Sequence, residues 1–238
     1  MQRNVPLVAG ETYHLFNRGA HKRNIFTNDA DYQRFLLLLL LANHSDPVNL
    51  RDLFIHYKGR SFVEIFREEK PDKSLVDLLA YNLMPNHFHL VARQKKDVGV
   101  TAFMKKVATA YSMYFNTKYG HSGTLFQGRF KSSHIDTEPY FRYIFSYVHL
   151  NSLDLFESGW KEKGLRDLDG ARKYVNSYRH SSFFDYTGND RAEKALLSLN
   201  QAPEFLTTQN DLEALLSTVT KDGPLYGDKI GVFRSAMV

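Results

Sequence analysis

His87-Phe88-His89 places two imidazoles two residues apart. On an extended strand the side chains alternate between faces. Both rings therefore project from one side, with Cα atoms roughly 6–7 Å apart, while Phe88 and Leu90 point the other way into a core. Two imidazoles so placed can share one metal ion, although two histidines in a turn and strand also arise by chance. Such a pair needs a third ligand. The chain contains no cysteine, so that ligand must be His, Asp, Glu, Asn or Gln. The same absence excludes disulfides, thiolate metal centres and a cysteine nucleophile.

A segment more than fifty residues downstream offers the missing groups. Over 138–151 the apolar residues Phe141, Ile144, Phe145 and Val148 recur at helical spacing. Beside that stripe Tyr143, Tyr147 and Asn151 stand four residues apart, on one helical face. If this helix packs on the sheet that carries the histidines, a phenol and an amide can meet the same ion. Spacing leaves Tyr143 and Tyr147 as rival nucleophiles. His134 and His149 are alternative ligands or ordinary histidines.

The elements that must position these groups follow from periodicity and turn chemistry. Thr12–Phe16 reads as a strand ended by Asn17-Arg18-Gly19, and Asn28 or Asp29 can cap a helix running to about Asn43. Residues 45–74 are charged and irregular and read as an insertion, with a short helix near Phe62–Glu69. Leu75–Leu83 and His87–Arg93 flank Met84-Pro85-Asn86 as an antiparallel hairpin. A helix over Val100–Tyr119 stops at Gly120, a strand covers Phe130–Ile135, and Thr137-Glu138-Pro139 opens the last helix. Strand, helix, strand, strand, helix, strand, helix is an α+β order, an antiparallel sheet covered by helices. Residues 186–238 read as a C-terminal extension with two short amphipathic helices and no evident role.

Charge is unevenly spread. The 238 residues carry a net +5, with 43% hydrophobic content, enough for one globular domain with an appendage. No acid lies between Glu11 and Asp29 or between Asp97 and Asp136, stretches that hold Arg18, Lys22, Arg23, Lys105, Lys106, Lys118, Arg129 and Lys131. The tail from 186 has seven acids against five Lys/Arg, so the positive charge belongs to the first 185 residues. A basic surface of this kind suits a polyanion or is simply solvated. The opening residues lack the pattern of a signal peptide. The longest apolar run, Phe35–Ala42, is too short to span a bilayer. A cytoplasmic protein without membrane contact is expected.

Three segments, "YNLMPNHFHLVARQ", "GHSGTLFQGRFKSS" and "YIFSYVHLNSL", resemble successive motifs of the single-tyrosine HUH transposases. The branch that includes the REP-associated tyrosine transposases is the nearest in pattern. "YHLFNRGAHKRNIF" and "YVNSYRHSSFFDY" are similar to that branch too, so the resemblance runs from about Tyr13 to Tyr186. It implies a ferredoxin-like antiparallel sheet flanked by helices, the HUH nuclease fold, with a catalytic domain over 1–185 and the extension over 186–238. His87 and His89 match the two metal-binding histidines, Tyr147 the nucleophile and Asn151 the third ligand. The family often continues Asn-Pro; here Ser152 follows, which bears on how the helix ends.

The implied activity is cleavage and rejoining of single-stranded DNA, hairpin-containing substrates included, through a 5′-phosphotyrosine. A phenol is mostly protonated at neutral pH, and a nearby cation favours the phenolate. Mg²⁺ or Mn²⁺ is the implied ion; Mn²⁺ suits a mixed imidazole and amide set better. Some members are homodimers that donate the tyrosine helix in trans and others are monomers, so a homodimer is compatible with the resemblance. Arg18, Arg129 and Lys131 are expected on the DNA backbone. Lys105 and Lys106 are either further backbone contacts or the wet face of a helix. Phe126 and Phe130 either stack on bases or fill the core, and Tyr140, Tyr111 and Tyr114 pack or touch DNA. The competing reading is a non-catalytic single-stranded DNA or RNA binding protein derived from such an enzyme. The H-x-E and P-C-x-x-C signature of zinc deaminases is absent.

Overall fold

The computed structural model describes residues 6–46, 55–69, 73–202, 204 and 212–222. In chain order the core elements are β1 (Thr12–Arg18), α1 (Asp29–Leu41), α2 (Phe62–Glu68), β2 (Val76–Met84), β3 (His87–Gln94), α3 (Gly99–Tyr119), β4 (Lys131–Ile135) and α4 (Glu138–Leu150). The strands form one antiparallel sheet in the order β2-β3-β1-β4. This is the ferredoxin-like βαββαβ arrangement expected from the sequence.

Alternation along the strands divides the core into two layers. Leu15, Phe88, Leu90 and Ala92 pack against Phe35 and Leu38 of α1 and Phe103, Val107 and Tyr111 of α3. The other face presents Phe16 and Val91 to Ile144, Phe145 and Val148 of α4. Burying each such side chain stabilises the fold by about 1.5–3 kcal/mol relative to exposure. The leucine run of 35–42 lies in α1 and is buried. Among the described residues no helix is long and apolar enough to cross a membrane.

Several expected boundaries move. β1 continues through Asn17 and Arg18, which pair with Phe88 and His87. Asn28 stands at the start of α1 without a side-chain cap. Asp31 reaches back instead, accepting from the Thr27 backbone N–H at 2.8 Å. α2 starts on a capping box between Ser61 and Glu64. Its Ile65 packs on Leu37 and Leu41 of α1.

The stretch after Asn151 holds helices that periodicity did not reveal: α5 (Leu153–Phe156), α6 (Trp160–Lys163), α7 (Leu168–Ser177) and α8 (Phe183–Tyr186). All but α7 are single turns, too short to display an apolar period. The segment before α8 closes the outer edge of β2. The Leu83 N–H donates to His180 O at 2.9 Å, and the Ser182 N–H donates to Tyr81 O at 2.9 Å. An edge strand covered in this way can be buried along its whole length, as β2 is. A further helix, α9 (Leu212–Asp222), buries Leu215 and Val219 in the same apolar layer as α4.

Candidate active site

β3 delivers His87 and His89 to the sheet face on which α4 packs. His89 is fully buried, whereas His87 is half-buried. Burial pushes His87 down to about 4, opposed by its contact with Asn151 and reinforced by the charges of Arg18 and Lys161. His89 is held well below its ordinary value by burial first, then by His14, His87 and Lys161. Both rings are therefore neutral near pH 7 and carry one lone pair each.

The hydrogen bonds say which nitrogen keeps it. His87 Nδ1 lies 2.6 Å from Asn86 Oδ1, and its Nε2 lies 3.1 Å from Asn151 Oδ1. A neutral imidazole has one proton for these two acceptors. Donated over the shorter distance to Asn86, it leaves the Nε2 lone pair facing the Asn151 oxygen. His89 Nδ1 lies 2.8 Å from His14 Nε2, while His89 Nε2 is buried with no hydrogen-bond partner among the described residues. Each histidine is thus held through Nδ1 and offers Nε2.

α4 supplies the remaining groups. Thr137 caps its start by accepting from the Tyr140 N–H at 3.4 Å. Asn82 of β2 pins its end, donating from Nδ2 to Val148 O at 2.8 Å. Asn151 follows the last turn in right-handed helical conformation, and Ser152 continues that conformation into α5. Proline at 152 would disfavour this backbone at Asn151. The departure from Asn-Pro therefore changes the route after the helix and leaves Asn151 facing His87.

Tyr147 stands edge-on to His89, with ring centroids 5.7 Å apart, and to His14 at 6.3 Å. Tyr143 is one turn earlier, its ring 6.2 Å from that of Tyr147. Lys161 of α6 lies with Nζ 5.1 Å from the Tyr147 ring centroid and 2.7 Å from Asp154 Oδ2.

A model of the family described as transposase IS200-like matches residues 8–151. The chain belongs to the IS200-like transposase family. Among curated proteins none matches. Among solved structures, that of a REP-associated tyrosine transposase bound to a REP hairpin is similar at 13% identity and a TM-score of 0.48. The likeness covers 86% of this chain and 92% of that one.

In this transposase, three of the five cationic residues expected on DNA line one small cleft, and one of them adjoins His87. Arg18 is its cross-strand neighbour. Exposed Arg129 and Lys131 join Phe16, Asn17, Arg18 and Gln127 around one small cleft. The loop of the "LFQGRF" motif is tied to β1, with the Gln127 N–H donating to Arg18 O at 2.8 Å and Asn17 Nδ2 donating to Gly128 O at 3.0 Å. Lys105 and Lys106 lie on α3, across the sheet from Tyr147. The Lys106 ammonium is taken up by His44 O at 2.6 Å.

The alternative ligands stand elsewhere. His134 binds Glu11 Oε2 at 2.7 Å. His149 faces Ser182 Oγ at 2.7 Å, and burial pushes it down to about 3. Phe126 is core, and Phe130 packs against it. Tyr111 and Tyr140 are buried, the Tyr111 hydroxyl donating to Ile25 O and that of Tyr140 meeting Ser133 Oγ at 3.1 Å. Tyr114 donates to Asp31 at 2.9 Å.

Sequence reasoning missed His14, Asn82, Asn86 and Lys161. His14 had half a signal: its spacing puts it on one face of β1 with Phe16, but the register of β1 on β3 decides that this is the face of the histidine pair. Asn82 and Asn86 sit inside the quoted motif. Lys161 had none.

Proposed function

We propose that this transposase is a metal-dependent single-stranded DNA transesterase, cutting and rejoining DNA through a 5′-phosphotyrosine on Tyr147. The observation that carries the reading is the meeting, on one sheet face, of His87, His89, Asn151 and Tyr147, contributed by β3 and the end of α4.

A divalent cation fits the residues present. Two lone-pair acceptors, His87 Nε2 and Asn151 Oδ1, face one another, and His89 Nε2 is a buried orphan. Acceptors crowded together favour a cation between them, and each histidine's Nδ1 is held by a second residue, as in metal-ligating histidines generally. Mg²⁺ or Mn²⁺ held by His87, His89 and Asn151 would neutralise the non-bridging oxygens and orient the phosphate for in-line attack.

The chain's own residues supply the rest. Asn86 and His14 hold the two imidazoles in orientation. Asn82 fixes the end of α4, so Tyr147 and Asn151 keep their positions. The Tyr147 oxygen attacks phosphorus, the bond to the 3′ oxygen breaks, and the phenolic proton ends on that oxygen. The phosphoester is exchanged, not hydrolysed, so a 3′-OH can later attack the same linkage and rejoin the strand. Arg18, Arg129 and Lys131 bind backbone phosphates. Lys105 and Lys106, across the sheet, would be reached only by DNA that extends past its edge.

We read 1–185, with its insertion at 45–74, as the catalytic domain and 186–238 as an extension, of which α9 packs on α4. The substrate is single-stranded DNA with a hairpin, and the setting is the cytosol. Both monomer and homodimer are compatible with this site.

The test is a labelled single-stranded DNA library carrying one stem-loop with randomised flanks, incubated with Mn²⁺. A covalent adduct surviving denaturation is expected, lost on chelation and in Tyr147→Phe. An adduct that persists in Tyr147→Phe but vanishes in Tyr143→Phe overturns the nucleophile. Tight binding without any adduct favours the non-catalytic reading.

A further inference from the structure

Lys161 lies across the ring of Tyr147, with Nζ 5.1 Å from its centroid. It comes from α6, an element outside both β3 and α4. Its side chain is only 15% exposed, its ammonium also lies 5.6 Å from the Trp160 ring centroid, and Asp154 holds that ammonium at 2.7 Å. A lysine needed only to pair with a half-exposed aspartate can do so from the surface, at little energetic gain. Here it is drawn inward over an aromatic face, which attracts a cation. Its charge is also felt at His87 and at His89, where it disfavours the protonated rings.

An ammonium beside a cation-binding site is repelled by the ion that site holds. The placement becomes favourable when an anion lies between them. We propose that Lys161 is a catalytic residue of this site, its ammonium donating to a non-bridging oxygen of the phosphate that Tyr147 attacks. The proposal rests on the transesterase reading above. The Tyr147 oxygen–phosphorus bond forms, the bond to the 3′ oxygen breaks, and the phenolic proton ends on the 3′ oxygen. Lys161 keeps its protons throughout. Charge builds on the non-bridging oxygens as the attack proceeds, so a fixed cation gains most in the transition state. In the reverse step the same ammonium faces the phosphotyrosine.

Two measurements test this. The first is Mn²⁺ affinity by titration calorimetry in Tyr147→Phe, with and without the dinucleotide dTpdT, which carries one phosphodiester. The dinucleotide should tighten Mn²⁺ binding, and adding Lys161→Met should abolish that coupling while tightening Mn²⁺ binding in its absence. The second is the rate of adduct formation on an oligonucleotide selected from the stem-loop library. Lys161→Met should lower it about 10²–10³-fold, the loss typical of removing one preorganised charge-stabilising donor. Lys161→Arg should recover most of the rate, and thermal unfolding of each variant identifies any loss of fold. No coupling with Lys161 present, equal coupling in its absence, or an unchanged adduct rate in Lys161→Met overturns the proposal. Lys161-dependent coupling without any adduct in the unsubstituted protein instead overturns the transesterase reading and leaves Lys161 as a phosphate ligand.

Discussion

The two faces of the sheet both bury polar groups, and they treat them differently. Between α1 and α3, Asp31 is fully buried, yet both its oxygens are satisfied. Oδ2 accepts from the Thr27 N–H, the Thr27 hydroxyl and the Tyr119 hydroxyl, each at 2.8 Å. Oδ1 accepts from Lys118 at 2.6 Å and from the Tyr114 hydroxyl at 2.9 Å. Under α4 the polar groups do not complete one another. His89 Nε2 has no described partner, and Asn151 Oδ1 faces an imidazole nitrogen. A buried polar group without a partner costs about 1–3 kcal/mol. The Asp31 cluster is therefore closed within the protein, and the histidine cluster is complementary to a cation. Buried tyrosines occur on both faces, so composition alone does not separate structural from chemical groups.

The sharpest break between the two clusters is a pair of hydroxyl deletions. Tyr147→Phe should abolish the covalent adduct while changing stability by less than about 1 kcal/mol. Tyr114→Phe should leave the adduct intact and cost about 1 kcal/mol in denaturant titrations. Equal effects on the adduct would erase the distinction.

Asp31→Ala attacks the closed cluster directly. It should destabilise the fold by roughly 3 kcal/mol, the lower end for a broken buried ion pair because Lys118 keeps some access to water. Mn²⁺ affinity should not change. Burial raises the Asp31 carboxyl, but the hydrogen bonds from Lys118, Thr27 and Tyr119 outweigh it and hold the group well below the usual carboxylate range. A depressed folded value contributes stability above the unfolded pKa of about 3.9 and loses it as pH falls below. The acid limb of the stability curve should therefore be shallower in Asp31→Asn than in the parent, as read by urea denaturation across that range.

His14→Phe probes the histidine cluster without touching a ligand. Calorimetry should show Mn²⁺ binding weakened about 10–100-fold, the usual effect of removing a residue that orients a metal-bound histidine. His14→Gln, which can still bond His89 Nδ1, should recover part of the loss. Unaltered affinity in both variants would make His14 a packing residue only.

The smallest expected effect on the histidine cluster is that of Ser182→Ala. It removes the partner of His149 Nε2 at 2.7 Å and the acceptor of the Tyr81 N–H at 2.8 Å, and should cost about 1–3 kcal/mol of stability with no change in Mn²⁺ binding. A loss of metal affinity there would bring His149 back as a ligand.

Much of the fold was legible in the chain because its signals are local. Strand alternation put His87 and His89 on one face, and Phe88 and Leu90 in the opposite layer, as found. Helical spacing placed Tyr147 with Asn151 and buried the stripe of Phe141, Ile144, Phe145 and Val148. Met84-Pro85-Asn86 marked the hairpin. The single turns α5, α6 and α8 between Asn151 and Tyr186 were not legible, because one helical turn shows no period, and they are buried in the layer of α4.

What the sequence determined by itself is the set of groups that could share an ion and the periods that align them, since backbone geometry makes those relations independent of the rest of the chain. Only the tertiary structure decided their surroundings. It brought His14 to His89 across 75 positions, hung Asn82 under the last turn of α4, and laid Lys161 over Tyr147. It also assigned equal charges to different places, with Arg18 beside His87 and Lys106 across the sheet on a backbone carbonyl. The register between strands and the packing of helices on a sheet are set by long-range burial. No local spacing encodes which face a distant side chain will reach.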